Sequence, residues 1–232
     1  MKVNSSYPDR REKQKEMTGL IVTGGTIDYE FACGFLETRT FDKVIAVDGG
    51  LGALHKLHLK PDVIAGDFDT IDPKVLEEYK NSPDQVIWEV HKPEKDATDT
   101  ELAISAAINL GCTKLVLLGA TGGRLDHFLG NLNLLYDCLK RGVEAAIADE
   151  KNWITILDKG RSFSRDEAMG KYISFLPLSE EVKGITLTGF RYPLYKKDIE
   201  LGTSLCISNE LVGAEGTIDF DSGILICVES HD

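Results

Sequence analysis

Residues 114–120 read KLVLLGA, apolar at nearly every position rather than at every second one. A strand with one wet face alternates, whereas an unbroken apolar run of this length belongs in the middle of a parallel sheet covered by helices on both sides. The flanking pattern agrees. Further short β-prone runs at 20–22, 43–47, 62–65, 85–90 and 143–148 are separated by segments with helical signals. These include Leu51, Leu54 and Leu57; a helix opening at Pro73; Leu102, Ala106 and Leu110; and Leu125, Phe128, Leu132, Leu135 and Leu139. Thr98 and Glu101 have capping-box spacing, which predicts a helix starting near Thr98 and stopping at Gly111. Residues 26–40 show no clear period. Strands alternating with helices to about residue 149 predict an α/β domain with a mostly parallel, doubly wound sheet.

Beyond Asn152 the pattern changes to short β-like runs at 153–157, 172–176, 185–187, 205–208, 217–220 and 224–228, divided by turn residues. This predicts a smaller all-β sandwich. The organisation expected is a disordered or flexible leader over 1–18, an α/β domain over 19–149, and a β-sandwich domain over 150–232.

Composition narrows the class. A chain of 232 residues with 42% hydrophobic content can bury a substantial core. A formal net charge of −12 argues against a broad nucleic-acid or anionic-membrane surface, so an anionic ligand would need local basic groups or a metal. No apolar run approaches bilayer length and the polar first 17 residues contain no signal-peptide core, so a soluble protein is expected, without a membrane partner. Five cysteines with no CxxC spacing favour a reducing cytoplasm and buried thiols.

Chemistry concentrates where the predicted strands end. In DVIAGDFDT, residues 62–70, a strand runs into Gly66 and then Asp67 and Asp69. Residues i and i+2 of a strand share a side, and paired carboxylates suit Mg²⁺ completed by water and phosphate; an ordinary acidic turn is the plain reading. An EF-hand is excluded, because Ile71 and Asp72 stand where its loop needs a short acidic or amide side chain and then glycine. Asp48-Gly-Gly follows another strand, either as a close backbone approach to a ligand or as a simple turn. Asp99 falls in the first turn of a helix, as dipole complement or as a third metal carboxylate, with Lys95 in the same loop able to reach phosphate. Gly122, Gly123 and Arg124 enter a helix after the apolar strand, an arrangement that can bind an anion. Neither a Walker lysine nor a complete GxGxxG is present, and His127 reads equally as a cap, a core group or a ligand contact. In doubly wound sheets ligands bind beyond the carboxyl ends of strands, and these clusters can converge there. In the second part, Phe190, Tyr192 and Tyr195 near Ser208 and Asn209 offer either an aromatic-polar pocket or an ordinary core.

With these residues assembled, the chain resembles the thiamine pyrophosphokinase family over about residues 20–230. The resemblance rests on Asp48-Gly-Gly, Gly66-Asp-Phe-Asp-Thr70 (commonly ending in Ser in the family), Lys95-Asp-x-Thr-Asp99, Gly119-Ala-Thr-Gly-Gly-Arg-x-Asp-His127, Gly189-Phe-Arg-Tyr-Pro193 and Ser208-Asn-Glu210, in the family's order. It implies pyrophosphoryl transfer from ATP to thiamine, a homodimer, and thiamine held near the subunit interface. It also implies Mg²⁺ on Asp67, Asp69, Asp96 and Asp99, with Asp48 in support and Asp48, Asp67, Asp69 and Asp99 as the catalytic acids. Lys95, Thr98, Gly122, Gly123, Arg124, Asp126 and His127 would lie at the nucleotide, and Tyr192, Ser208 and Asn209 at thiamine. A pyrophosphokinase for another hydroxymethyl heterocycle, such as a pterin, and a non-catalytic Mg-nucleotide sensor are the competing readings.

Overall fold

The structure, a computed structural model, describes residues 16–68, 71–82, 85–90 and 97–232. The first part alternates strand and helix: β1 (Thr18–Val22), α1 (Tyr29–Glu37), β2 (Lys43–Val47), α2 (Gly50–Lys56), β3 (Val63–Gly66), α3 (Pro73–Lys80), β4 (Ile87–Val90), α4 (Asp99–Asn109), β5 (Lys114–Leu118), α5 (Leu125–Lys140) and β6 (Glu144–Ala148). The rest is β7 (Asn152–Leu157), β8 (Arg161–Ser164), β9 (Tyr172–Pro177), β10 (Glu181–Thr188), β11 (Leu194–Glu200), β12 (Asn209–Glu210), β13 (Glu215–Asp219) and β14 (Leu225–Ser230).

The strands β4, β3, β2, β1, β5 and β6 lie side by side in that order and pair in parallel. Alternate residues feed two separate layers. Leu20, Val22, Ala46, Ile64 and Leu118 pack with Phe35 of α1 and Leu51 and Leu54 of α2. Ile21, Ile45, Val63 and Leu117 pack on the opposite face with Ala103, Ile104 and Ala107 of α4 and Leu135 of α5. Each such fully buried aliphatic side chain contributes about 1.5–3 kcal/mol relative to exposure, which is why KLVLLGA cannot tolerate a wet face. Asp28 caps α1 and Asp72 caps α3 by accepting from Phe31 N and Lys74 N at 2.8 and 2.9 Å. The Thr98 hydroxyl accepts from Glu101 N at 3.3 Å, so α4 begins where the capping box placed it.

The sheet does not end at β6. β7 pairs antiparallel with it, and β14, β9 and β12 extend the same hydrogen-bonded sheet to ten strands. A second antiparallel sheet, ordered β11, β10, β13 and β8, closes over β7, β14 and β9 to make the sandwich. Phe163, Phe175 and Phe190 meet edge to face there with centroids 5.8–6.0 Å apart. Phe190 is therefore core, while Tyr192 and Tyr195 are exposed.

Three expectations are corrected. Residues 205–208 form a turn, not a strand: Ser208 is left-handed (φ 56°), and strand pairing starts only at Asn209. The chain is already held before residue 18, because Met17 O accepts from Thr113 N and Lys114 N and Thr18 pairs with Lys114. All five thiols are free, and four are buried as expected, but Cys33 is exposed on α1.

Candidate functional site

The connections reverse direction between β1 and β5, since β1 to β4 build outward on one side while β5 and β6 build on the other. The crevice at such a switch point is where a doubly wound sheet accepts ligands. Two loops meet there. Thr23 Oγ1 donates to Gly119 O at 2.5 Å, Gly25 N donates to the same carbonyl at 3.0 Å, and Thr26 N donates to Gly122 O at 3.2 Å. A Cβ on Gly25 would stand 2.1 Å from Gly119 O, so only glycine permits the approach. Behind them Asn131 of α5 donates through Nδ2 to Ala120 O at 3.1 Å. Thr23 and Asn131 were invisible as site residues in the sequence, because each acts through a contact about 100 or 11 positions away.

The acidic cluster occupies the ends of β2 and β3. Asp48 is left-handed (φ 45°), its N–H donates to Ala65 O at 3.0 Å, and its Oδ1 accepts from Asp67 N at 3.2 Å. Gly66 (φ 138°) makes this possible: a Cβ there would fall 1.8 Å from Asp48 Oδ1. The Asp67 backbone is thus tied to the Asp48 carboxylate at the carboxyl edge, and carboxylate oxygens are the hard donors Mg²⁺ takes. Asp69, Lys95 and Asp96 lie outside the described residues, and among the described residues no three acidic, His or Cys groups gather at metal-binding spacing. One premise of the DxD reading fails. β3 stops at Gly66 and Phe68 is left-handed (φ 65°), its ring edge-on to Trp88 with centroids 5.6 Å apart, so the backbone after Gly66 is not extended and strand alternation does not aim Asp67.

α4 packs on β2 and β3 through Ala103, Ile104 and Ala107. A helix that follows a parallel strand starts at the carboxyl edge, which puts Thr98 and Asp99 on the side of Asp48 and Asp67. At α5, Arg124 occupies the N-cap position and makes no side-chain cap hydrogen bond, so its side chain leaves the amides of Leu125 and Asp126 uncapped. Its guanidinium instead grips Asp126 in a fork, Nε to Oδ1 at 3.1 Å and Nη2 to Oδ2 at 2.5 Å, and Asp126 Oδ1 also accepts from His127 N at 2.9 Å. This hydrogen-bonded pairing raises the Arg124 pKa and lowers that of Asp126. Gly122, Gly123, Arg124, Asp126 and His127 are all exposed around the mouth of the crevice.

Tyr192, Ser208 and Asn209 stand elsewhere. Asn209 is buried, accepting from Tyr192 N and Glu210 N at 3.0 Å and donating to Tyr192 O at 2.9 Å, so its amide moulds the 190–193 loop. That loop presents Tyr192 to solvent, with the Arg191 guanidinium 5.8 Å from its ring centre, and the left-handed Ser208 is exposed beside it. The register runs Asn209, Ile173, Glu229, Trp153, Ala148, Leu118. These residues therefore share the level of the β5 carboxyl end but sit five strands away, roughly 24 Å at about 4.8 Å per strand.

Comparison with known proteins identifies the family. Residues 37–147 match the family described as thiamin pyrophosphokinase, catalytic domain, and residues 162–225 match thiamin pyrophosphokinase, vitamin B1 binding domain. The chain is similar to the thiamine pyrophosphokinase of Bacillus subtilis (strain 168), 39% identical over 188 residues that cover 81% of this chain and 87% of the relative. A crystal structure of thiamine pyrophosphokinase from Bacillus subtilis superposes with a TM-score of 0.83 at 36% identity, covering 93% of this chain and 99% of that one. One from Geobacillus thermodenitrificans superposes with a TM-score of 0.80 at 35% identity, covering 93% and 98%.

Proposed function

The chain belongs to the thiamin pyrophosphokinase family and is an enzyme of that kind; from that premise we propose how its residues move a pyrophosphoryl group from ATP to thiamine. The thiamine hydroxyl oxygen attacks the β-phosphorus in line, the bond from that phosphorus to the α,β-bridging oxygen breaks, and AMP leaves with the electron pair while the hydroxyl proton passes to a nearby base. The observation that carries this reading is the Asp48–Gly66–Asp67 knot at the ends of β2 and β3, set beside two interlocked glycine-rich loops at the switch point.

Roles follow from chemistry and place. Asp48 and Asp67, with Asp99, Asp69 and Asp96, would hold Mg²⁺, which when bound neutralises phosphate charge that an acidic protein would otherwise repel. The loop 119–123, braced by the Thr23, Gly25 and Thr26 N–H donors, approaches phosphate through its own backbone N–H groups. Arg124 turns from Asp126 to the polyphosphate and, with Lys95, stabilises charge developing on the transferred group; Thr98 and His127 flank the nucleotide. Asp126 keeps the guanidinium extended before ATP arrives. Tyr192 offers a face to the thiazolium cation and Ser208 a hydroxyl, with Asn209 shaping their loop.

Bond formation brings the attacking oxygen to within about 3.5 Å of phosphorus, and thiamine cannot bridge roughly 24 Å of sheet. The site is accordingly completed by a second copy of the chain, whose Tyr192 and Ser208 face this copy's phosphate loops in a homodimer. The deciding experiment incubates the full chain with ATP, Mg²⁺ and thiamine and separates products by chromatography. Thiamine diphosphate and AMP in equal amounts are expected. ATP binding without turnover, or turnover only with a hydroxymethyl pterin, would overturn the reading.

A further inference from the structure

A cavity of about 780 Å³ lies at the opposite end of the parallel strands from the candidate active site. Thr18, Lys114 and Glu144, the first residues of β1, β5 and β6 or their immediate starts, line it, so roughly 13 Å of β5 separates it from the glycine-rich loop. Its size falls in the range of small-molecule sites, about 300–1,000 Å³.

Two arginines face this cleft, each fixed by an independent device. Arg161 of β8 donates through Nη2 to Glu229 Oε1 and through Nη1 to Thr155 Oγ1, both at 3.2 Å, with its guanidinium 4.8 Å from the Phe163 centroid. Glu229 is 2% exposed, and its other oxygen accepts from Met169 N at 2.9 Å. Arg39, just past α1, lies 4.1 Å above the Phe35 ring and donates to Thr38 Oγ1 at 3.0 Å and Met169 Sδ at 3.3 Å. Met169 thereby ties the two guanidinium groups into one wall. Arg39 has five donor hydrogens, a hydroxyl and a thioether as acceptors, and no carboxylate partner among the described residues. Burial lowers its pKa, as befits a cation partly stripped of water without an anion to compensate. Phe41 and Trp153 supply flat apolar surface, and Trp153 touches Phe35 with centroids 6.2 Å apart. Lys159 adds an exposed cation; the two carboxylates lining the cavity, Glu144 and Asp158, are both exposed, and Glu144 lies 3.9 Å from Lys114.

We propose that the cleft between Arg39 and Arg161 is a second small-molecule site, taking a planar heterocycle that carries a phosphate group. Guanidinium pairs match phosphate by their fork geometry, and the aromatic wall accepts a ring face. Two sources share this chemistry, AMP and thiamine diphosphate, which are the products in the function proposed above; the test measures binding rather than turnover, so it stands if that function fails.

The full chain carrying Arg124→Gln to weaken the active site and Trp88→Phe to leave Trp153 as the fluorescent reporter is titrated separately with AMP and with thiamine diphosphate, by calorimetry and by fluorescence. Saturable binding with a change in Trp153 emission is expected, weakened about tenfold or more by adding Arg39→Gln. Lys159→Gln, on an exposed turn that folding does not need, should weaken it several-fold, so a folding defect in the Arg39 variant cannot imitate the result. Response to one ligand alone identifies the source; response to both means that the shared phosphate and ring suffice. No binding of either at millimolar concentration, or binding unchanged by both substitutions, overturns the proposal.

Discussion

The roughly 24 Å between Leu118 and Asn209 in register makes a demand that mixing experiments can read directly. If each active site combines the glycine-rich loops of one copy with the Tyr192 loop of the other, Asp67→Asn chains and Tyr192→Ala chains are each impaired as homodimers. In a heterodimer of the two, one site inherits both lesions and the other inherits neither. Random 1:1 exchange makes half of the dimers heterodimers, each with one intact site out of two, so about one quarter of wild-type activity returns. The assay is thiamine diphosphate formation after the variants are unfolded together and refolded, with heterodimer content counted by native mass spectrometry. A mixture that contains heterodimers yet shows no more activity than the average of its parents would refute the shared site, as would a wild-type protein that turns over thiamine as a monomer.

Removing Mg²⁺ with EDTA should abolish product and its return restore it, and Asp67→Asn should lower kcat/KM about 100-fold, the scale of losing a preorganised electrostatic contact; an unchanged rate in either case would remove the metal assignment. Gly66→Ala places a methyl in the space of the Asp48 carboxylate at a backbone angle L residues avoid, so a loss of about 2–4 kcal/mol and roughly 5–15 °C in Tm is expected by calorimetry. Only Cys33 should react with a thiol reagent at pH 8 under native conditions, one group per chain. Burial pushes the Cys138 thiol up to about 11 and Cys227 up to about 12. These thiols stay protonated when folded but ionise when unfolded, so their contribution is complete below the ordinary thiol pKa and fades as pH rises from about 9 toward those values. The slope is at most about 1.4 kcal/mol per pH unit for each, and Cys227→Ala should flatten the alkaline arm of a urea-denaturation series by one such increment.

What the sequence made legible was local. KLVLLGA announced a strand covered on both faces, Thr98 and Glu101 announced the start of α4, and each glycine or aspartate cluster marked a strand end. What it hid depends on contacts between distant segments. α1 carries Phe31, Phe35, Gly34 and Cys33 in no clean period and becomes a helix because Asp28 caps it and Phe35 packs on the sheet. β11 reads LYKKDIE, too charged to resemble a core strand, and suits an edge, where lysines discourage further pairing. β7 pairs with β6, which fuses the two expected domains into one sheet, and β14 comes from the end of the chain yet inserts between β7 and β9. That fusion also sets distances: it holds the Tyr192 loop level with the glycine-rich loops but five strands distant, and it links Arg161 to Arg39 through Glu229 and Met169. A continuous sheet is stiff across its hydrogen bonds, so that five-strand gap cannot be closed by one domain swinging onto the other. On the proposed reading the thiamine half-site is met by another molecule, while the cavity lined by Arg39 and Arg161 is formed within a single chain.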